Sequence, residues 1–303
     1  MPEVIVIVGP TASGKTTLAL DVAERLGGPD AVEIINADSM QVYTGMDIGT
    51  AKLPVTERRG ITHHLFDVWP VTHSVTVAEY QRIARETIQA IHGRGRRAVL
   101  VGGSGLYITA TIDDLRFPGT DARVRARLEQ ELDAAGPVPL HQRLRSLDPE
   151  AAERIQASNG RRVVRALEVI EITGSPYSAA LPAQPDEVVP AVQVGVTWPT
   201  AALYERIETR VDLMWDQGLV DEVRRLRPEL EVSRTARRAL GYQQVLAHLR
   251  GEIDEAQARH DTIIATRRFA RRQRSWFGRD SRIRWLDGAG AGLADEAMDI
   301  IER

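Results

Sequence analysis

The chain has no cysteine, so disulfides, thiolate zinc sites and thiol nucleophiles are all excluded. It has no apolar run near the roughly 18 residues that a membrane-spanning helix needs. It also lacks the basic region and longer apolar stretch of a signal peptide ahead of its first strand-like segment. A cytoplasmic protein without a membrane partner is therefore expected. Lysine is scarce too: Lys15 and Lys52 are the only ones, and every other permanently basic side chain is arginine. A compact ammonium and a planar guanidinium do different work. Lys15 is explained below by its motif, which leaves Lys52 as a second candidate phosphate contact, with accident of composition as the plain alternative. The net charge of −3 gives by itself no sign of nucleic-acid binding.

What is present starts with Gly9-Pro10-Thr11-Ala12-Ser13-Gly14-Lys15-Thr16, a GxxxxGK[ST] phosphate-binding loop. The apolar, β-branched run Val4 to Val8 leads in, and a helix-compatible segment from Thr16 to Leu26 leads out. The glycines let backbone wrap closely round an anion, and the helix start offers free N–H groups and a positive dipole end. Lys15 adds a point charge. Thr16 offers a hydroxyl to a magnesium ion. This loop is expected to hold a diphosphate or triphosphate.

A second buried strand, Val32 to Ile35, runs into Asn36-Ala37-Asp38-Ser39-Met40-Gln41-Val42-Tyr43. Ligands gather at the carboxyl ends of strands in open parallel sheets, which puts Asp38 beside the phosphate loop as a candidate base or magnesium support. His63 and His64 lack a third ligand at metal spacing and read as structural. The strand Ala98 to Val101 ends in Gly102-Gly103-Ser104-Gly105, where a P-loop hydrolase or kinase often carries a magnesium-supporting aspartate. That absence weakens a generic NTPase reading.

The character changes at Pro118. Charged amphipathic helix covers 121–132, Gly136 to Pro139 breaks it, and further Arg-rich helix runs to about 155. Arg161, Arg162 and Arg165 follow beside an apolar face of Val163, Leu167 and Ile170. After a Pro-rich connection from Pro176 to Pro190, strand pattern resumes at Val192. The fold class expected is α/β: a P-loop NTPase-like parallel sheet flanked by helices, with an inserted helical subdomain. The core would comprise 1–118 and 186–303, and the insertion 119–185. Later helices carry Arg206 and Arg210 one turn apart, then Arg267, Arg268, Arg271, Arg272 and Arg274 interleaved with Phe269 and Trp276. Basic charge with aromatics suits an RNA-binding surface; a solvated helix with core aromatics is the alternative.

Taken together, GPTASGKT (9–16), DSMQVY (38–43), MDIGTAK (46–52), HHL (63–65), GGSGLY (102–107), RRVVRALEV (161–169) and ARRQRSWF (270–277) resemble the bacterial-type tRNA dimethylallyltransferase (tRNA isopentenyltransferase) family, in the family's order. The resemblance implies transfer of a dimethylallyl group from dimethylallyl diphosphate to N6 of adenosine 37 in tRNAs reading codons that begin with U. It implies magnesium, and pyrophosphate as leaving group. It also implies Asp38 and Thr11 as catalytic residues and the loop, with Arg206 or Arg210, as the diphosphate site. Anticodon stem-loop contacts would come from Asp38, Ser39, Met40, Gln41, Ser104, Arg123, Arg161, Arg162, Arg165, Arg271, Arg272 and Arg274. A monomer is expected. Gln243 departs from the lysine that members often carry after Gly-Tyr. The zinc finger of longer eukaryotic relatives is excluded by the missing cysteines. Three alternatives stay open: a prenyltransferase acting on free AMP or ATP, a P-loop small-molecule kinase, and a non-enzymatic RNA-binding switch.

Overall fold

The computed structural model describes residues 4–180 and 186–303. Five apolar strand residues, Val4–Val8 (β1), lie at the centre of a six-stranded, all-parallel sheet. The other strands are Val32–Asn36 (β2), Thr62–His64 (β3), Arg97–Gly102 (β4), Ala191–Thr197 (β5) and Arg284–Asp287 (β6). Their order is β3-β2-β4-β1-β5-β6.

A strand buried on both faces reads as continuous apolar sequence, and β1 divides its side chains between two cores. Val4, Val6 and Val8 pack on one face with Tyr80, Ala84, Ile88 and Ile91 of Val77–Gly93 (α2) and Ile108 and Ile112 of Gly105–Ile112 (α3). Ile5 and Ile7 pack on the other with Leu18 and Val22 of Lys15–Arg25 (α1). Each such side chain contributes about 1.5–3 kcal/mol on burial. α2 starts at a capping box in which Thr76 accepts from the Glu79 N–H and Glu79 accepts from the Thr76 N–H.

The chain divides into two compact units, Met1–Ile112 with Val189–Arg303, and Asp113–Val188. The second begins at Asp113 rather than 119. An isolated antiparallel bridge between Asp113 and Glu187 and the Asp114 N–H bond to Asp186 O close its base. The middle of the Pro-rich connection and the boundary expected at 185 lie outside the described residues. This unit contains Ala122–Ala135 (α4), Pro137–Leu147 (α5), Pro149–Arg154 (α6), Gly160–Thr173 (α7) and Tyr177–Ala180 (α8) around Leu128, Leu140, Leu144, Val163, Val164 and Leu167. The Gly136–Pro139 segment is shorter as a break than expected. Pro137 and Pro139 sit in the first turn of α5, where the missing N–H costs nothing.

The first unit resumes with β5 and four helices: Thr200–Asp216 (α9), Leu219–Val232 (α10), Tyr242–Leu249 (α11) and Glu255–Phe277 (α12). After β6 comes Leu293–Ile301 (α13), whose Ala297 and Ile301 complete the core over α1. β3 and β6 were not expected from sequence. Both are edge strands, and among the residues of β6 only Leu286 is buried, so neither carries the apolar run that marks a central strand.

The glycine end of β4 has a steric cause. A Cβ on Gly102 would collide with the carbonyl of Ala37, where β2 leaves the sheet. No aspartate fits there. We predict that Gly102→Ala costs about 1–3 kcal/mol, measured by chemical denaturation, with full stability retained if this backbone contact is absent.

Candidate active site

Four loops leave the carboxyl ends of β1, β2, β4 and β5 on one edge of the sheet, because register pairs Val8 with Gly102 and Gly195, and Asn36 with Val101. This is where the sheet's strand order reverses and ligands bind in such folds. The phosphate loop occupies the turn from β1 to α1. Gly14 caps α1 in the left-handed region at φ 90°, and Ala12 is held there as well, at φ 63°. A Cβ on Gly9 would meet Ser13 Oγ and Val196 O. The loop is tied from inside by Ser13 N–H to Pro10 O, 3.2 Å, and Lys15 Nζ to Pro10 O, 3.4 Å.

Two residues, one just after β5 and one on α9, brace the loop from outside. Trp198 Nε1 donates to Ser13 O, 2.9 Å, and Arg206 Nε donates to Ala12 O, 2.8 Å, with its guanidinium 4.2 Å from the Trp198 ring centroid. Arg210, one turn further, reaches the cavity itself. It lines a small cavity together with Thr11, Lys15, Thr16, Asp38 and Gln41. It also lines a larger neighbouring one with Ile207, Val211, Met214, Phe269 and Arg272. Thr11, Asp38, Thr50 and Arg210 are shared by both.

The electrostatics match an anion site. Burial, with the nearby Arg210 charge, pushes Lys15 down to about 8, while Asp38 opposes that shift. Burial also lowers Arg210; Asp38 opposes this and Arg206 adds to it. Cations this poorly solvated gain by meeting an anion. Asp38 itself is fixed at the backbone: Asn36 Oδ1 accepts from its N–H, 3.0 Å, and Asp38 Oδ1 accepts from Met40 N–H, 2.8 Å. Its second oxygen takes no hydrogen bond among the described residues.

The neighbouring expected residues divide into groups. Ser39 N–H donates to Ser104 Oγ, 3.0 Å, joining the loops after β2 and β4. Gln41 Nε2 donates to Thr50 O and Ala51 O, so it holds the 46–52 loop as well as lining the small cavity. On α12, Arg274 bonds Thr200 Oγ1, whereas Arg271 is exposed and Arg272 lines the larger cavity. In the helical unit, Arg123, Arg161 and Arg162 are exposed. Arg165 differs from them. Its guanidinium donates to Pro118 O, Gly119 O and the buried Glu168, so it is spent largely inside that unit.

Lys52 is not a phosphate contact. Its buried ammonium donates to Tyr43 O, Asp47 and Asp67 at 2.6–2.9 Å and locks the loop around itself. Sequence reading also missed Glu222, a fully buried carboxylate on α10. It accepts from the N–H groups of Asp47, Ile48 and Gly49 and from Tyr242 Oη. Its only signal was the MDIGTAK segment itself, which needs an anion to hold three consecutive amides.

A glycine-turned loop, a carboxylate and convergent cations at the switch point of a parallel sheet define an α/β protein of P-loop-like fold. Residues 41–280 match the family described as IPP transferase. The chain is 59% identical to a tRNA dimethylallyltransferase of Salinispora arenicola (98% of this chain, 86% of that protein). It is 57% identical to one of Streptomyces coelicolor (100% and 96%). Among solved structures, a full-length tRNA isopentenylpyrophosphate transferase from Bacillus halodurans superposes with a TM-score of 0.70 at 38% identity, covering 100% of this chain and 95% of that one. The chain belongs to the IPP transferase family.

Two outcomes are expected here. Glu222→Ala leaves three amides and a phenol without their acceptor and costs about 3 kcal/mol or more, read by urea denaturation; a loss under about 1 kcal/mol would mean that water replaces it. With Lys15 pushed down to about 8 in the free protein, inorganic pyrophosphate should bind more weakly as pH rises through that value. The loss approaches about tenfold per pH unit, and calorimetry should detect proton uptake on binding above pH 8. A pH-independent affinity, or the same dependence in Lys15→Met, contradicts the assignment.

Proposed function

We propose that this protein transfers a dimethylallyl group from dimethylallyl diphosphate to N6 of adenosine 37 in tRNAs reading codons that begin with U. It does so in the cytoplasm and as a monomer. The observation that carries this reading is that Thr11, Asp38 and Arg210 line two adjoining cavities at once. The smaller has the phosphate loop for a wall; the larger mixes apolar side chains with arginine. A diphosphate in one and a base in the other would meet at those residues. The names of the relatives and the full coverage of the chain by them support the same assignment.

An exocyclic adenine amine is a weak nucleophile that must leave the anticodon stack and be oriented. Asp38 accepts a hydrogen bond from N6–H with its free oxygen and takes the proton as the C–N bond forms. As the allylic C–O bond breaks, charge grows on the departing diphosphate. The first-turn amides of α1, Lys15 and Arg210 stabilise it, and the Thr11 hydroxyl stands at the junction. Arg206, already committed to Ala12 O, keeps the loop in shape rather than binding the anion alone. Ile207, Val211, Met214 and Phe269 exclude water from the allylic carbon.

The donor set fits magnesium. Thr16 and Asp38 both line the small cavity, and magnesium typically takes few protein ligands, retaining water and substrate phosphate oxygens. Thr16 would hold the ion, which when bound neutralises charge on the leaving diphosphate. Arg271, Arg272, Arg161, Arg162 and Arg123 supply phosphate contacts to the anticodon stem-loop, which position the RNA without reading sequence.

Single-turnover transfer from labelled dimethylallyl diphosphate tests the proposal with three acceptors: a stem-loop with adenosine at position 37, the same with guanosine there, and free AMP. Label should appear on the first alone. Asp38→Ala should abolish transfer and leave stem-loop affinity within about fivefold. Label on AMP would move the assignment to a free-nucleotide prenyltransferase, and normal turnover in Asp38→Ala would remove Asp38 from the mechanism.

A further inference from the structure

Gln273, on the Arg-rich helix, reaches the backbone of the phosphate loop. It is 5% exposed. Its Oε1 accepts from the Thr11 N–H at 2.9 Å, and its Nε2 donates to Gly103 O at 2.9 Å. The donor and acceptor ends of the amide are fixed by what they face, since Thr11 offers a proton and Gly103 a carbonyl. No aliphatic, carboxylate or ammonium side chain of similar length serves both partners. The surroundings are shaped for it: a Cβ on Gly103 would strike Nε2, and a Cβ on Gly105 would strike the Trp276 indole, one turn along α12.

We propose that Gln273 is a positioning residue for the reaction, setting the orientation of Thr11 and the spacing of the loops that carry Thr11 and Asp38. The proposal rests on the transferase reading above. With its N–H spent on Gln273, the Thr11 peptide cannot also donate to a bound phosphate. Its side chain is left at the junction of the two cavities. On the other side, the residue after Gly103 is Ser104, whose Oγ accepts from Ser39 N–H beside Asp38. One amide therefore fixes three loops against α12. The helix that brings Arg271 and Arg272 to the RNA is the helix that holds the chemistry in register. A plain packing role for Gln273 would give stability alone.

A double-mutant cycle separates the two. Gln273→Met keeps the length and removes both hydrogen bonds. It should slow single-turnover transfer to the adenosine stem-loop by about tenfold or more, because displaced catalytic groups lose rate steeply. Its dissociation constants for dimethylallyl diphosphate and for the stem-loop should stay within about threefold. In a Thr11→Ala background the same substitution should cost less than about threefold, because residues acting through one another are non-additive. Equal rate losses in both backgrounds, or parallel weakening of both affinities, overturn the proposal. If Gln273→Met does not fold by circular dichroism, Gln273→Glu replaces it. The glutamate keeps an acceptor for Thr11 but sets an oxygen against Gly103 O, and the same two outcomes decide. Hydrogen exchange at the Thr11 amide gives a readout that needs no turnover: protection should fall in the variant, and unchanged protection overturns the proposal. Failure of the transferase reading itself looks different, as the unaltered protein would then label no stem-loop.

Discussion

Positive charge held where water cannot fully reach it is the constraint on which this site depends. Lys15, Arg206 and Arg210 converge on the loop after β1, and burial lowers the charged-state stability of Lys15 and Arg210. Asp38 offsets part of that cost but is one carboxylate against three cations. Unpaired cations in such a place are unfavourable until an anion arrives. The protein therefore keeps the arrangement by over-determining the backbone around it. Trp198 and Arg206 grip the loop's carbonyls, Gln273 grips its Thr11 amide, and left-handed backbone at Ala12 and Gly14 turns the chain into the helix start.

The same logic governs the neighbouring 46–52 loop, though there the charges are spent on structure. Lys52 and Glu222 are both buried, and each is saturated: the ammonium by a carbonyl and two carboxylates, the carboxylate by three amides and a phenol. Breaking either would strand its partners in a medium that penalises them. Gly49 has no side chain because the Tyr242 ring lies where its Cβ would be. A motif that looks like a catalytic signature in sequence is here mostly a clamp, and it earns its place by forming one wall of both cavities through Thr50.

Legibility in the sequence followed the physics of each element. The central strands β1, β2, β4 and β5 and the phosphate loop were readable because burial on both faces and tight turns leave composition no freedom. Asp38 was readable by its place at a strand's carboxyl end. The edge strands were not, since β3 and β6 expose most of their side chains. Lys52 was misread because rarity in composition was taken as a sign of ligand contact, whereas the ammonium is matched to Asp47 and Asp67, whose proximity only folding creates. Gln273 and Glu222 were invisible for a related reason. An uncharged amide inside an arginine run and a glutamate on an ordinary amphipathic helix look like surface residues until the backbone groups they serve, 262 and about 175 positions away, are brought to them.

The missing acid after β4 bears most directly on chemistry. In a hydrolase or kinase of this architecture, a carboxylate there helps hold the metal that activates phosphoryl transfer. In this chain the position is filled by the backbone of Ala37, and the two following glycines give their space to Gln273 and Trp276. The space that an NTPase uses for its acid is used here to draw α12 down onto the loops. The carboxylate instead stands after β2 and lines both cavities, so it can reach an acceptor base in the larger one. With α12 docked where an acid would otherwise sit, Asp38 is the carboxylate left at the junction of the two cavities, the arrangement that the proposed transfer at carbon needs.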